Sequence, residues 1–492
     1  MKETGQIRIT TTGTQITPYH KRQNPYLERI TSIYQAMPRR KFGKYAPVTG
    51  YLLESDKEEP SFVTHLHDPI FLQDQFPDYQ IITIPHTPYR LLQKPISIDS
   101  DVTPREVQYE MIQDVLAHQD ASQWFIHLSQ GLGKTLLSVF LIAHFNLRSI
   151  IMCYDTKVLR QWERTILEKT DVGSERLLSI DSSKLLYQIV IGDFPAWEYD
   201  IFMCTPGLLR SFGTRYGWHM LSPLMERMGV GFKIFDEAHR NIGNMIKINA
   251  VTSVAKTLYL SGDFAQSNKQ KEQLYFRMFH QVPILRPKNE IMNTLRFTQA
   301  IVIKYDSNPT ELDRASVYSR RGFSYYDYMK YQMNTDEWFH TLDLIMDQII
   351  SINVDKRKIL ILVNMIEHVD LVFRHICEKY EVSYTCGRFH SQVPEEERER
   401  CIQEANLIVS TYQSFSVGID IASIKYVISG SVCTKVDDNQ ASGRPRPMAD
   451  GSDAFYFMMC DMGFPYVKDK LAERLNYLKS TKIKGIAVVD YR

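Results

Sequence analysis

Three short strings carry residue types that could bind and cleave a nucleoside triphosphate: QGLGKT (130–135), DEAH (236–239) and QASGR (440–444). The first holds the glycines, lysine and hydroxyl that bind phosphates, and the second holds two adjacent acids. The third brings an arginine from about two hundred residues further along the chain. A glycine-rich loop alone is weak evidence, but three ordered parts of one reaction predict an ATP-driven motor.

The first string is predicted to be a phosphate-binding loop, because it follows an apolar run and opens a stretch with helical spacing. Gly131 and Gly133 permit a tight turn whose N–H groups face an anion at a helix N-terminus. Lys134 supplies a positive charge for the β- and γ-phosphate oxygens, and Thr135 offers its hydroxyl to Mg²⁺. The string departs from the pattern GxxxxGK[ST] at its first position, where this chain has Leu128.

The two acids of the second string follow the apolar run FKIF (232–235). A parallel sheet presents residues at this end of a strand to its ligand crevice. We therefore expect Asp236 to hold Mg²⁺ and Glu237 to orient and deprotonate the attacking water. His239 is expected to couple the two halves of the enzyme. The alternative, an ordinary acid-rich helix start, fits poorly with Lys134 upstream.

Two further polar residues are candidates for the same site. Arg444 is the expected arginine finger, whose guanidinium would reach the γ-phosphate from a second lobe and make hydrolysis depend on closure. The alternative for Arg444 is a salt bridge between the lobes. Gln108, within TPREVQYEMI (103–112), could bond the adenine edge, because an amide donates and accepts at once.

Composition indicates an ordinary globular protein without a membrane span. The 492 residues are 44% hydrophobic and 23% charged, and no apolar run approaches eighteen residues. The polar start MKETGQIRITTTG predicts no signal peptide, which favours the cytoplasm of a bacterium or of a virus-infected host. Seven scattered cysteines predict buried free thiols and no structural metal. A net charge of +1 argues against simple coating of nucleic acid, although residues 1–50 hold nine Lys or Arg against two acids.

Short apolar runs alternate with helical stretches from about residue 101 onward, which predicts parallel sheets covered on both faces. The alternation occurs twice, so we expect two α/β lobes, at residues 101–285 and 286–492, with a boundary near Pro283–Pro287. Residues 1–100 are rich in Thr, Tyr and Pro and are expected to form a small N-terminal α+β module with a probable DNA contact.

The ordered strings resemble those of the superfamily 2 helicases over about residues 101–460. The further matching segments are DTKVLRQW (155–162), TPGLL (205–209), SGD (261–263), KILILVN (358–364) and STYQSFSVGID (410–420). The resemblance implies two tandem RecA-like lobes, with ATP and Mg²⁺ in the cleft and a nucleic-acid strand across both lobes. It also places Gly418 and Asp420 among the nucleotide-binding residues.

The same resemblance suggests a track along which a nucleic-acid backbone would lie. Contacts of this kind need cations, hydroxyls and backbone N–H groups, and they predict sequence-independent, salt-sensitive binding. The candidates are Lys157, Arg160, Thr205, Gly207, Ser410 and Thr411. Two clusters that mix cations with aromatic residues, at 39–45 and 318–331, could stack unpaired bases. The alternative for the second cluster is an amphipathic helix whose tyrosines pack on its own lobe.

The chain departs from the family pattern in two places. The segment SGD has no hydroxyl at its third position, which puts the coupling contact of that motif in doubt. The second arginine of the last motif is usually three places after the first, but here Pro447 stands there and Arg446 lies one place earlier. The compact size and small N-terminal module resemble phage-type DNA helicases such as the UvsW-like branch-migration enzymes.

The sequence thus predicts an ATP-dependent DNA helicase or translocase that acts on duplexes, forks or junctions. We expect a monomer that binds DNA and no membrane. Other replication or recombination proteins are expected as partners. Three alternatives stay open: an RNA helicase, a duplex-DNA translocase without strand separation, and a non-catalytic scaffold built on the same lobes.

Overall fold

The computed structural model describes most of the chain. The described residues are 5–17, 35–41, 44–49, 52–55, 60–65, 68–128, 132–240, 242–262, 279, 282–288, 296–319, 322–415, 421, 424–431, 441–446, 448, 450–479 and 483–491. The chain divides into two compact units, Met1–Pro287 and Lys288–Arg492. The described helices include none with the length and apolar character that a membrane-spanning helix requires.

The first unit begins with a small sheet and one short helix. Its strands are β1 (Gln6–Ile9), β2 (Gly13–Thr17), β3 (Gln35–Lys41), β4 (Lys44–Thr49), β5 (Leu52–Ser55), β6 (Pro60–His65) and β7 (Gln80–Thr83), with helix α1 (Pro69–Gln75). Five of them form a mixed sheet in the order β5-β6-β2-β1-β7, whereas β3 and β4 pair as a separate antiparallel hairpin. Residues 39–41 and 44–45 of the cluster 39–45 belong to this hairpin.

The turn between β1 and β2 fixes this small sheet to the rest of the unit. Thr10 Oγ1 donates to the Asn249 carbonyl at 2.7 Å, and Thr11 Oγ1 donates to the Val254 carbonyl at 2.8 Å. Gln123 Nε2 in turn donates to the Thr11 carbonyl at 2.9 Å. The turn is therefore hydrogen-bonded into the larger sheet that follows.

That larger sheet is the first predicted lobe. Its strands are β8 (Gln123–His127), β9 (Ser149–Met152), β10 (Leu177–Ser179), β11 (Ile201–Cys204), β12 (Phe232–Phe235), β13 (Lys256–Ser261) and β14 (Ile284–Leu285). All pairs are parallel, in the order β10-β11-β9-β12-β13-β8-β14. The helices are α2 (Glu106–Ala117), α3 (Lys134–Phe145), α4 (Thr156–Lys169), α5 (Ser183–Ile191), α6 (Pro206–Tyr216), α7 (Leu221–Met228) and α8 (Ile242–Val251).

The second unit repeats this architecture. Its sheet contains β15 (Thr298–Tyr305), β18 (Lys358–Val363), β19 (Cys386–Phe389), β20 (Leu407–Thr411), β21 (Ile424–Ser429), β22 (Ala454–Asp461) and β23 (Ile483–Asp490), and β16 (Tyr318–Ser319) pairs with β17 (Gly322–Phe323) as a hairpin. The seven strands are parallel, in the order β19-β20-β18-β21-β22-β15-β23. The helices are α9 (Glu311–Val317), α10 (Tyr325–Met333), α11 (Asp336–Ile352), α12 (Ile366–Tyr380), α13 (Glu395–Glu404), α14 (Tyr412–Phe415) and α15 (Pro465–Lys479).

Continuous apolar strands arise because both faces of each sheet are covered. In β18, Leu360 and Leu362 pack in one core cluster, whereas Ile359 and Ile361 pack in another. Successive side chains of a strand point to opposite faces, so only a sheet buried on both sides needs every position apolar. The expected fold class, two parallel-sheet α/β lobes, is confirmed. The expected free thiols are also found, since the described cysteines form no disulfide and most of them are buried.

Candidate nucleotide site and nucleic-acid face

Asp236, Glu237 and the loop residue Lys134 meet at one edge of the first lobe's sheet. Lys134 is the first residue of α3, which begins directly after Gly133 in the left-handed conformation at φ 80°. Its Nζ lies 2.7 Å from Glu237 Oε1, and both side chains are largely buried, at 9% and 16% exposure. Glu237 follows the carboxyl end of β12. The two residues predicted from separate strings therefore form one ion pair.

Glu237 has an unusual backbone. Its φ is +50°, in the left-handed region that side chains other than glycine rarely adopt. Such a conformation costs on the order of 1–3 kcal/mol and persists where the surroundings impose it. Burial would raise the pKa of this carboxyl, but the Lys134 ammonium outweighs that effect and holds the pKa at about 2. Glu237 is therefore an ionised carboxylate, as a residue that accepts a proton from water must be.

Asp236 is held by two hydrogen bonds to its carboxylate. Its Oδ1 accepts from the Glu237 backbone N–H at 2.9 Å, and its Oδ2 accepts from Trp162 Nε1 at 2.9 Å. Burial raises the pKa of Asp236, and the neighbouring Glu237 adds to the rise although Lys134 opposes it. Asp236 and the half-buried Thr135 carry the oxygen atoms that Mg²⁺ prefers, and their role in holding the ion stays a prediction.

His239 connects the acids to the end of β13. Its Nδ1 is 2.8 Å from Ser261 Oγ and 3.2 Å from Glu237 Oε2. Burial lowers the pKa of His239 to about 4, so the imidazole is neutral near pH 7. Ser261 opens the segment SGD, and its hydroxyl contacts His239, which in turn lies beside Glu237. The role of His239 between the two lobes stays a prediction.

Gln108 lies behind the phosphate loop rather than on an open surface. It is 1% exposed, its Oε1 accepts from the Arg105 N–H at 2.8 Å, and its Nε2 donates to the Gly133 carbonyl at 2.9 Å. The amide therefore joins α2 to the loop. The hydrogen bond from Gln108 to adenine stays a prediction. To form it, the amide would have to leave its hydrogen bonds to Arg105 and Gly133.

Two residues of the site were missed by sequence reasoning. Trp162 ends the segment 155–162 and is fully buried against Asp236, but an aromatic residue on an amphipathic helix gave no signal beyond core packing. His127 ends β8 just before the phosphate loop. Its pKa is lowered to about 4 by burial and by the charge of Arg286, so it adds no positive charge beside Lys134.

The predicted strand contacts of the first lobe lie on neighbouring loops. Lys157 and Arg160 are exposed in the first turns of α4, which follows β9. Thr205 and Gly207 follow β11, the strand paired with β9, and Thr205 Oγ1 caps α6 by accepting from the Leu208 N–H at 3.1 Å. These four residues therefore share the sheet edge that also presents Asp236 and Glu237.

The second lobe gives a mixed result for its predicted contacts. Ser410 is fully buried and its hydroxyl donates to the Phe389 carbonyl at 2.6 Å, an arrangement that does not favour the predicted strand contact. Thr411 ends β20, and its Oγ1 lies 2.8 Å from Ser414 Oγ. Arg444 is buried at 5% exposure, and Arg446 is half-buried with its Nη1 bonded to the Gly443 carbonyl. The predicted residues Gly131, Gly418 and Asp420 lie outside the described residues.

Some residues of the cluster 318–331 are buried in a small core, whereas others are exposed. Tyr328 is 1% exposed and packs in a small core with Val317 and Phe464, as the amphipathic alternative expects. Tyr326 is 53% exposed, and Lys330 Nζ lies 4.5 Å from the centre of its ring. The buried tyrosine is therefore structural, and a role in base stacking could belong only to the exposed face.

The fold and the site together define a nucleotide-hydrolysing enzyme with two parallel-sheet lobes. Two family models match the chain: residues 101–266 match "Type III restriction enzyme, res subunit", and residues 341–446 match "Helicase conserved C-terminal domain". No curated protein matches it. The two domains that these models describe support a superfamily 2 helicase. Domains of this kind imply ATP hydrolysis, typically with Mg²⁺, and binding of nucleic acid.

Proposed function

We propose that the protein is an ATP-dependent DNA helicase or translocase that uses hydrolysis to unwind or remodel duplexes, forks or junctions. The observation that carries the proposal is the Lys134–Glu237 ion pair beside Asp236, which joins a phosphate-binding loop to a hydrolytic acid. Restriction enzymes act on DNA, so the match of residues 101–266 to a restriction-enzyme subunit supports DNA as the nucleic acid.

Each residue of the proposed site has a distinct task. Lys134 would leave Glu237 and bind the β- and γ-phosphates, which frees the carboxylate to orient water and accept its proton. Thr135 and Asp236 would hold Mg²⁺, which neutralises charge on the phosphates when it is bound. Arg444 would stabilise the charge that develops as the γ-phosphate leaves. Arg446 is a second, weaker candidate for that contact.

The proposed DNA track follows the exposed side of the same sheet edge. Lys157 and Arg160 would attract the phosphate backbone, and the loop at Thr205 and Gly207 would contact it through N–H and hydroxyl groups. Binding of this kind depends on charge and not on sequence, so affinity should fall steeply as salt rises. In the second lobe, Thr411 is the proposed contact.

A second candidate function is translocation along duplex DNA without strand separation. The match to the subunit of a type III restriction enzyme favours it, because such an enzyme must act on duplex DNA. The phage-type, UvsW-like reading instead predicts a preference for forks and four-way junctions. In both cases we propose a monomer in the cytoplasm of a bacterium or an infected host, with replication or recombination proteins as partners.

One experiment separates these functions. ATPase rates of the full chain should be measured with single-stranded DNA, duplex DNA, forks, four-way junctions and RNA, at two salt concentrations. We expect stimulation by DNA, greatest with forks or junctions, together with strand separation. Triplex displacement without strand separation would select the duplex translocase, and stimulation by RNA alone would replace the proposal with an RNA helicase. An absence of turnover with every nucleic acid would favour a scaffold.

A further inference from the structure

A cavity of about 640 Å³ opens on the first lobe, away from the nucleotide residues. Its volume is in the range of sites that bind small molecules or a few side chains. Its lining includes the apolar side chains of Ile189, Val190 and Phe194 and the charged side chains of Arg90 and Arg227. The cavity thus combines apolar side chains with cations.

The backbone places this cavity at the opposite edge of the sheet from the ATP residues. The Arg90 N–H donates to the Gly229 carbonyl, and the Arg148 N–H donates to the Arg90 carbonyl. Gly229 and Arg148 precede β12 and β9, so Arg90 lies where these strands begin. Glu237 lies where β12 ends, and four residues of strand span roughly 13 Å. The cavity is therefore separate from the nucleotide site.

Positive charge around the cavity exceeds negative charge. Arg90 and Arg227 are exposed, and within the described part of the chain neither forms an ion pair. Glu226 is the one acid among the described lining residues. Exposed cations without a partner at the mouth of a cavity favour an anionic ligand.

A buried arginine pair behind the cavity wall adds to this excess. Asp200 is fully buried and forms ion pairs with two guanidinium groups. Its carboxylate oxygens lie 2.7 Å from Arg176 Nη2 and 3.5 Å from Arg148 Nε. Arg148 Nη2 also donates to the carbonyl of Trp197, which lines the cavity, at 2.7 Å. In the described structure, Nε and Nη1 of Arg148 and Nη1 of Arg176 are buried without a hydrogen-bond acceptor. One carboxylate therefore does not neutralise the pair.

Apolar side chains surround the same opening. Trp197 is 53% exposed and Tyr89 is 41% exposed, and both line the cavity. Leu91 and Ile191, which adjoin lining residues in the sequence, are 58% and 45% exposed. Aromatic residues and arginine are enriched where proteins bind one another, and they contribute most of the binding energy. This composition is typical of an interaction site.

We propose that this cavity binds an acidic peptide segment of a partner protein through an apolar side chain and flanking carboxylates. The apolar side chain would pack against Ile189 and Phe194, and the carboxylates would pair with Arg90 and Arg227. A nucleic-acid strand fits less well, because strand binding needs a groove that follows a backbone, whereas this is a single cavity. The proposal does not depend on whether the enzyme acts on DNA or RNA.

The test begins with a library of random peptides displayed on phage and selected on the immobilised full chain. We expect enrichment of Asp or Glu next to Phe, Leu or Trp. The double variant Arg90→Glu/Arg227→Glu should not enrich these peptides. The control, Arg164→Glu, replaces one exposed arginine of α4 by glutamate. It should enrich the acidic peptides as the wild type does. Thermal melting of every variant checks that it is folded.

Fluorescence anisotropy with the enriched peptides then measures affinity. The double variant should weaken binding by about tenfold or more, because each lost charge pair contributes to affinity. Trp197→Ala should also weaken it, whereas Glu226→Gln should strengthen it by removing the opposing charge. Nucleic-acid-stimulated ATPase activity of these variants should equal that of the wild type, since the cavity lies at the other edge of the sheet.

Three results would overturn the proposal. One is a selection without acidic enrichment, and another is equal affinity of the peptides for the wild type and the folded double variant. The third is a labelled oligonucleotide that loses affinity in the double variant while no peptide binds, which would assign the cavity to nucleic acid.

Discussion

At the scale of single residues, the Lys134–Glu237 ion pair influences the protonation of two adjacent acids, Glu237 and Asp236. Lys134 is paired with Glu237, whereas burial raises the pKa of Asp236 although the charge of Lys134 opposes the rise. The left-handed backbone of Glu237 is the local cost of this arrangement, because the carboxylate must turn back toward the loop. The adjacent acids are therefore chemically different although the sequence presents them as a pair.

Replacing Glu237 by Gln should abolish hydrolysis and spare binding. The amide keeps the size of the side chain and can still accept a hydrogen bond from Lys134, but it cannot take a proton from water. We expect turnover to fall by roughly 10²–10⁴-fold, with the affinities for ATP and for DNA close to those of the wild type. Turnover near the wild-type rate would show that another group is the base.

Replacing Trp162 by Phe tests a contact that the sequence did not indicate. The ring would still pack in the core, but the N–H that bonds Asp236 Oδ2 would be lost. Partners of a metal-binding carboxylate typically contribute roughly 10- to 100-fold to metal affinity. We therefore expect ATPase activity to require more Mg²⁺.

The measurement is a titration of ATPase rate against Mg²⁺ concentration. Trp218→Phe, a change of the same type in a half-buried tryptophan of the same unit, should leave the titration unchanged. A purely structural role for Trp162 would lower the melting temperature without moving the Mg²⁺ midpoint.

At the scale of elements, β12 joins the N-terminal sheet to the nucleotide site. Lys233, its second residue, is fully buried, and its Nζ lies 3.0 Å from Thr252 Oγ1 and 3.3 Å from Thr12 Oγ1. Thr12 belongs to the turn between β1 and β2. The strand that leads to Asp236 and Glu237 thus carries, at its second position, a buried lysine whose hydrogen bonds within the described residues go to hydroxyls.

Lys233 should make the stability of the first unit depend on pH. Burial lowers its pKa from 10.5 to about 7. Between these values the unfolded chain keeps the proton that the folded chain releases, so the unfolded state binds more protons and the free energy of unfolding rises with pH. The slope is at most about 1.4 kcal/mol per pH unit. Below pH 7 both states are protonated, and the cost of burying the charge applies in full.

Urea unfolding at pH 7 and pH 9 would test this. The wild type should gain on the order of 1–3 kcal/mol between the two values, whereas Lys233→Met should gain less and be more stable at pH 7. Lys184→Met, at an exposed lysine of α5, should follow the wild type. Equal gains in the wild type and Lys233→Met would contradict the interpretation.

At the scale of the whole molecule, the proposed reaction needs a group from each unit. The phosphate loop and acids belong to Met1–Pro287, and Arg444 belongs to Lys288–Arg492. A guanidinium donated by the second lobe would make hydrolysis depend on closure of the two lobes around ATP. This dependence is what would convert a chemical step into movement along a strand.

Replacing Arg444 by Ala should therefore remove hydrolysis without removing the nucleotide. An arginine finger contributes roughly 10³–10⁵-fold to turnover, so we expect a loss of that order with little change in ATP affinity. Arg446→Ala should lose less. Arg314→Ala, at an exposed arginine on α9, should behave as the wild type does. Nearly unchanged turnover in Arg444→Ala would exclude the composite site.

The sequence by itself determined the parallel-sheet lobes and predicted which residues form the nucleotide site. Both are local properties: apolar runs such as FKIF report burial on two faces, and Lys134, Asp236 and Glu237 lie next to strands whose ends a parallel sheet brings together. Tertiary structure decided the rest. Trp162 approaches Asp236, Thr12 approaches Lys233, and Arg148 shares Asp200 with Arg176 across long stretches of chain. Such contacts depend on which helices and turns pack together, and the spacing of residues along the chain carries no record of that packing.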